Sequence, residues 1–203
     1  MNKVFLAAPA LFIAYGIIRL LDGIDGEHGP GLAWTTGHLL FLIGFLLYAV
    51  TLVALRGLLT RARGLSLAAV IAGLVGVAAF VRVTVIDLIV GFRAVDHADK
   101  SRVGDEYDRW PGNLGVYDVL YTAGPLLFLA GLLTLAILLT RARLLPVWSP
   151  ILLVAGFVLI SANLDLMPLG GLALLLAMVP LARTSPSNRR SHARAVSDRH
   201  PAA

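Results

Sequence analysis

The sequence predicts an all-α, polytopic integral membrane protein of about six transmembrane helices arranged as three helical hairpins. Hydrophobic residues make up 58% of the 203 positions and charged residues only 14%, whereas soluble chains run near a quarter charged. Mean hydropathy is +0.84. The apolar residues gather into six runs, and a helix needs about 20 such residues to cross a bilayer. The charges between those runs sort by side.

The first run, Val4–Leu21, begins after Lys3 and resembles a signal peptide in position. Arg19 interrupts its end and no small-residue cleavage site follows, so it is expected to remain as a span. Leu32–Leu55, Leu65–Val90 and Leu114–Leu139 are long enough to cross unaided. Val147–Ala162 and Leu166–Leu181 are shorter and separated only by Asn163-Leu164-Asp165. Two helices in a tight hairpin is the favoured reading, with a re-entrant segment as its alternative. Residues 1–183 thus form one transmembrane domain. Residues 184–203, rich in Ser, Pro and Arg, read as a disordered basic tail attracted to anionic lipid.

Orientation follows from the charges. Lys3, Arg56, Arg61, Arg63, Arg141, Arg143, Arg183 and the arginines of the tail fall on one side. Of the 12 acids only Asp198 joins them. The positive-inside rule makes that side cytoplasmic and places both termini there. The net charge of +5 therefore reads as membrane topology, and no nucleic-acid partner is expected. Arg outnumbers Lys heavily among the basic residues, alongside much Ala, Leu and Gly, the bias of a high-GC bacterial genome. The cytoplasmic membrane of a bacterium is the expected location.

An internal repeat runs through the second and fourth spans. Gly37-His38-Leu39-Leu40-Phe41-Leu42-Ile43-Gly44 aligns with Gly124-Pro125-Leu126-Leu127-Phe128-Leu129-Ala130-Gly131. Each is followed by the same hexapeptide, Leu58-Leu59-Thr60-Arg61-Ala62-Arg63 and Leu138-Leu139-Thr140-Arg141-Ala142-Arg143. Duplication and chance likeness of Leu-rich helices compete as explanations. Three side-by-side hairpins would be parallel repeats around an axis normal to the membrane, with room for a central cleft. Ala69/Gly73 and Ala72/Gly76 provide small-xxx-small spacing for close packing of the third span.

Zero cysteines exclude disulfides, thiolate nucleophiles and cysteine-held metal centres. The P-loop, the G-x-S-x-G elbow, the zincin helix and the Rossmann fingerprint are all missing, which weighs against an enzyme. Only His38 lies inside a span, so paired haem-ligating histidines are missing too.

What the spans do carry is a layer of ionisable groups under the outer face. Counting about 1.5 Å per residue brings Arg19, Asp22, His38, Arg82, Asp87, Asp118, Asn163 and Asp165 to similar depths on different helices. Tyr117 and Tyr121 flank Asp118 at i, i+4 spacing. Charges there are costly unless they face protein or water. The layer is therefore either a set of salt bridges locking the helices, with Arg19 or Arg82 paired to Asp87 or Asp118, or a binding pocket.

The first outer loop holds Asp22, Asp25, Glu27 and His28, donors suited to a divalent cation such as Zn²⁺ or Mn²⁺. A solvated Gly-rich turn is the competing reading, and no other cofactor is expected. The second outer loop, residues 93–113, should be a solvated cap with a short amphipathic helix around Val95–Tyr107. The most specific functional expectation is a pocket in the outer leaflet that binds or transports a small solute or ion. Two other classes compete with it: a non-catalytic accessory or assembly protein, and an intramembrane enzyme acting on a lipid or quinone head group through His38 and Asp118.

Overall fold

A computed structural model describes residues 3–183 except 25, 27 and 109–115; within that range the side chains at 97, 106–108 and 116–121 are also outside the description. Among the described residues seven α-helices follow in order: α1 Val4–Asp22, α2 Leu32–Gly57, α3 Arg63–Arg93, α4 His97–Asp108, α5 Val116–Arg141, α6 Trp148–Ala162 and α7 Met167–Arg183. There is no strand among the described residues. Five helices are long and apolar enough to cross a membrane, and α6, with 15 residues, is the shorter sixth apolar helix. The chain is an all-α polytopic membrane protein.

α2 shows how the sequence sorts itself. Phe45, Tyr48, Leu52 and Leu55 recur at helical spacing and are buried, while Leu39, Ile43, Leu46, Val50 and Val53 are 43–56% exposed. An apolar stripe of that size facing outward is untenable in water and natural against lipid. The core consequently forms between helices, and the outer faces are as greasy as the inner ones.

Six helices close into a ring in chain order, α1, α2, α3, α5, α6, α7 and back to α1, with α4 lying on α3. Helices α1/α2, α3/α5 and α6/α7 make the three hairpins. The α5–α6 seam is the loosest in the ring. Glycines set the tightest approaches. A Cβ on Gly131 would lie 2.4 Å from the Ala69 carbonyl oxygen and 2.6 Å from the Gly73 nitrogen, and one on Gly76 would lie 2.4 Å from the Phe128 nitrogen. The small-residue stripe of α3 thus fits α5, as its spacing anticipated. In the repeat, Gly37 and Gly44 face α1 while Gly124 and Gly131 face α3, so both runs use their glycines against the helix before them in the ring.

The last two runs form a hairpin of two helices. Asn163 leaves helical geometry at φ −158°, and its Oδ1 accepts a hydrogen bond of 2.8 Å from the Asp165 N–H. A single 3₁₀ turn, Leu164–Leu166, then starts α7. Asn163, grouped with the polar layer in the sequence reading, acts here as the turn that reverses the chain. The cap helix also forms, two residues after its expected start. Just before α4, Asp96 Oδ1 accepts from the Asp99 N–H at 2.8 Å, and within the helix Asp99 accepts from Arg102 Nε at 2.8 Å. The Arg102 bond, together with the Val95 N–H, holds the Asp99 carboxyl below its ordinary range. Val103 docks α4 on Ile86 and Val90.

Candidate functional site

Below the α4 cap, α1, α2 and α3 converge on His38, which is 6% exposed. Trp34 lies one turn earlier on the same helix face, with ring centroids 4.2 Å apart, and Tyr15 of α1 meets the imidazole edge-on at 5.6 Å. Two glycines make this possible. A Cβ at Gly37 would press on Tyr15, and one at Gly91 would come within 2.5 Å of the Trp34 ring. Trp34 Nε1–H donates to the Asp87 carbonyl at 2.8 Å, tying α2 to α3. Lys100 of α4 sits 5.1 Å from the centre of the Trp34 ring, a cation–π distance, and its ammonium donates to the His28 carbonyl.

The two ring nitrogens of His38 both face oxygen. Nδ1 is 2.8 Å from the Trp34 carbonyl, and Nε2 is 3.6 Å from Asp87 Oδ2. A carbonyl can only accept, so Nδ1 carries a hydrogen, and a neutral imidazole then turns a lone pair towards the carboxylate. That repulsion is relieved by one more proton, held on Nε2 or on Asp87. The 3.6 Å gap between Nε2 and the Asp87 carboxylate is longer than a hydrogen bond.

A second cluster closes the ring at the same level. Arg19 Nε donates to Asp165 Oδ1 at 3.1 Å. His28 lies 3.7 Å from Asp22 and 4.0 Å from Asp165. The end of α1, the first loop and the α6–α7 corner are thereby joined. Arg19 was expected to pair with Asp87 or Asp118; the carboxylate found on its Nε is Asp165, which the sequence placed at the same height without pairing it.

Asp22 and His28, proposed with Asp25 and Glu27 as cation ligands, meet each other and Asp165. Among the described residues no three His, Asp or Glu side chains gather in an arrangement that could hold a metal ion. Asp25 and Glu27 lie outside the described residues. So do the side chains of Tyr117, Asp118 and Tyr121. Arg82 is half-buried on α3, one and a half turns before Asp87.

Neither Tyr15 nor Lys100 stands out in the sequence, and Trp34, an aromatic residue at a helix start, looks there like an interfacial anchor. Its i, i+4 relation to His38 was the available signal.

Room in this polar site is small. A cavity of about 10 Å³ is bounded by Tyr15, Arg19, Asp22, Trp34 and His38, about one water probe. Immediately below, Tyr15 stacks on Phe41 at 4.6 Å. There an apolar cavity of about 70 Å³ is lined from all six ring helices, including Phe12, Phe41, Phe45, Phe80, Phe128 and Phe157. Where the sequence allowed a central cleft, the ring of helices holds this small cavity lined by phenyl rings. They separate the polar site from the opposite end of the bundle.

No curated protein and no solved structure matches the chain. A family model for a domain of unknown function matches residues 27–186, from the first loop through α7 and without α1. By that match, which spans most of the chain, the protein belongs to the DUF4386 family.

Proposed function

We propose that this is a protein of the bacterial cytoplasmic membrane, with both termini cytoplasmic, whose outer-leaflet polar site binds a small ion, the proton. The observation that carries the reading is His38, buried between two oxygen acceptors with Asp87 at 3.6 Å and space for about one water beside it. An organic solute does not fit there without opening the cap, and the aromatic layer beneath interrupts any path across. The site therefore exchanges its proton with the outer side. The groups around it are Tyr15 and Arg19 from α1, Trp34 from α2, Asp87 from α3 and Lys100 from α4.

Trp34 supplies the test, because an imidazolium quenches an indole stacked on it more strongly than a neutral imidazole does. With Trp110 and Trp148 replaced by Phe, Trp34 emission in nanodiscs should show a one-proton step with pH. His38→Gln should abolish the step and Asp87→Asn should move it. A flat profile in the parent protein would refute proton binding at His38.

A second reading, a non-catalytic accessory protein whose polar layer is a lock, is favoured by the Arg19–Asp165 contact that ties the first helix to the last hairpin. It predicts the flat profile together with a loss of thermal stability in both variants.

A further inference from the structure

The repeated hexapeptides were not used by the site around His38. They lie at the opposite end of the bundle, and the fold brings both to one place: residues 58–62 after α2, and 138 with 141–144 at the end of α5, line the same cleft, about 800 Å³ in volume. Leu58, Leu59, Leu138 and Leu144 give it apolar walls, and Arg61, Arg141 and Arg143 are exposed at its rim. At this end the described residues include no carboxylate, and the sequence places only Asp198 on this side. Three guanidinium groups around one hollow, with no acid to balance them, call for an anion.

The backbone supplies an independent observation. Ala62 at φ 56° and Arg143 at φ 59° are the non-glycine residues with positive φ among those described, and both line this cleft. Arg143 occupies the left-handed position that ends α5: the Leu144 N–H donates to the Leu139 carbonyl and the Arg143 N–H to the Thr140 carbonyl, each at 2.9 Å. Glycine is the usual occupant of this position because it has no Cβ to clash. An arginine held there against that steric preference places its side chain in the cleft, where a glycine would leave none. Strained backbone of this kind concentrates at binding sites.

We propose that this cleft binds the phosphate group of an anionic phospholipid. Arginine forks match phosphate oxygens in pairs. The leucine walls suit the glycerol and first acyl carbons beneath the phosphate, and the position at helix ends is that of a lipid head group. Free phosphate shares the chemistry but leaves the apolar walls without a partner.

The test uses purified full-length protein in detergent, titrated with dioctanoyl phosphatidylglycerol, dioctanoyl phosphatidylcholine or inorganic phosphate, with binding read by native mass spectrometry and by thermal shift. Phosphatidylglycerol should bind about tenfold more tightly than phosphatidylcholine, the difference expected for one charge-assisted contact or more. Arg143→Gly should erase about that preference while melting no lower than the parent, since it relieves the positive φ; Arg61→Gln with Arg141→Gln should do the same. Arg183→Gln, an exposed arginine at the end of α7 outside the cleft, should leave affinity unchanged. Displacement of the lipid by millimolar phosphate would keep the site and assign its anion to solution. Equal binding of the two lipids with no effect of phosphate, retained preference in Arg143→Gly, or an equal loss in Arg183→Gln would overturn the proposal.

Discussion

The α3–α5 seam offers the most direct test of how the ring is held together. Replacing Gly131 by Ala adds one methyl group at a point where it would stand 2.4 Å from the Ala69 carbonyl oxygen and 2.7 Å from the Gly73 Cα. These are backbone atoms and cannot swing aside. Restoring ordinary contact at about 3.4 Å requires the two helices to part locally by about 1 Å, and a gap of that size forfeits a quarter to a half of each neighbouring dispersion contact. Overpacking of this kind costs about 1–3 kcal/mol, which outweighs the gain of up to about 1 kcal/mol from replacing glycine in a helix. Gly64 in the first turn of α3 has nothing within 4 Å of its added Cβ, so Gly64→Ala isolates the propensity gain. Thermal and SDS unfolding in mixed micelles should rank Gly64→Ala at or above the parent and Gly131→Ala below it. Equal stability of the two variants would show that α3 and α5 do not meet at these residues.

Three further outcomes follow from other parts of the molecule. The Arg19–Asp165 pair has an Asp side chain that is 44% exposed, so solvent screening reduces it to about 1 kcal/mol; a double-mutant cycle with Arg19→Gln and Asp165→Asn should return a coupling of that size, and zero coupling would remove the pair from the account. Tyr48 is fully buried and its hydroxyl has no hydrogen-bond partner among the described residues, so Tyr48→Phe should be neutral or stabilising by about 1 kcal/mol in the same unfolding assay; a clear loss would mean that the hydroxyl is satisfied. In the cysteine-free background, Ser101→Cys should react with an impermeant thiol reagent in intact cells and Gly64→Cys should not, and the reverse pattern would invert the orientation proposed above.

The fold was legible where lipid solvent dictates it. Apolar runs predicted the spans, and Asn163-Leu164-Asp165 marked a reversal that the structure makes with one side-chain cap and a single 3₁₀ turn. What the runs cannot give is azimuth. α3 is apolar on nearly every side, so the face that meets α5 was visible only through Ala69, Gly73 and Gly76, and the face that carries Asp87 not at all. The polar layer was legible as a depth and illegible as a set of pairs. Arg19 and Asp165 are 146 residues apart, and the sequence pointed to Asp87 or Asp118 as the partner because only the ring order places the α6–α7 corner beside α1. Trp34 misled for a related reason: an outer aromatic at a helix start looks like an interfacial anchor, and only the glycine at position 91 makes room for it to turn inward.

The two copies of the repeat separate scaffold from site. Gly44 and Gly131 each let the preceding helix of the ring approach, and Phe41 and Phe128 each reach the central cavity, so these shared positions answer to packing. The hexapeptides are shared as well, yet packing does not require arginines at an exposed rim, nor a left-handed arginine where glycine fits better. The aligned residues His38 and Pro125 differ completely. Each follows the first glycine of its copy, yet Pro125 has no polar side-chain atom while His38 offers two ring nitrogens to Trp34 and Asp87. The aligned position thus holds a residue with no titratable group in one helix and an imidazole that faces two oxygen atoms in the other. The packing scheme works with both, which supports reading the imidazole as a requirement of the proposed site rather than of the fold.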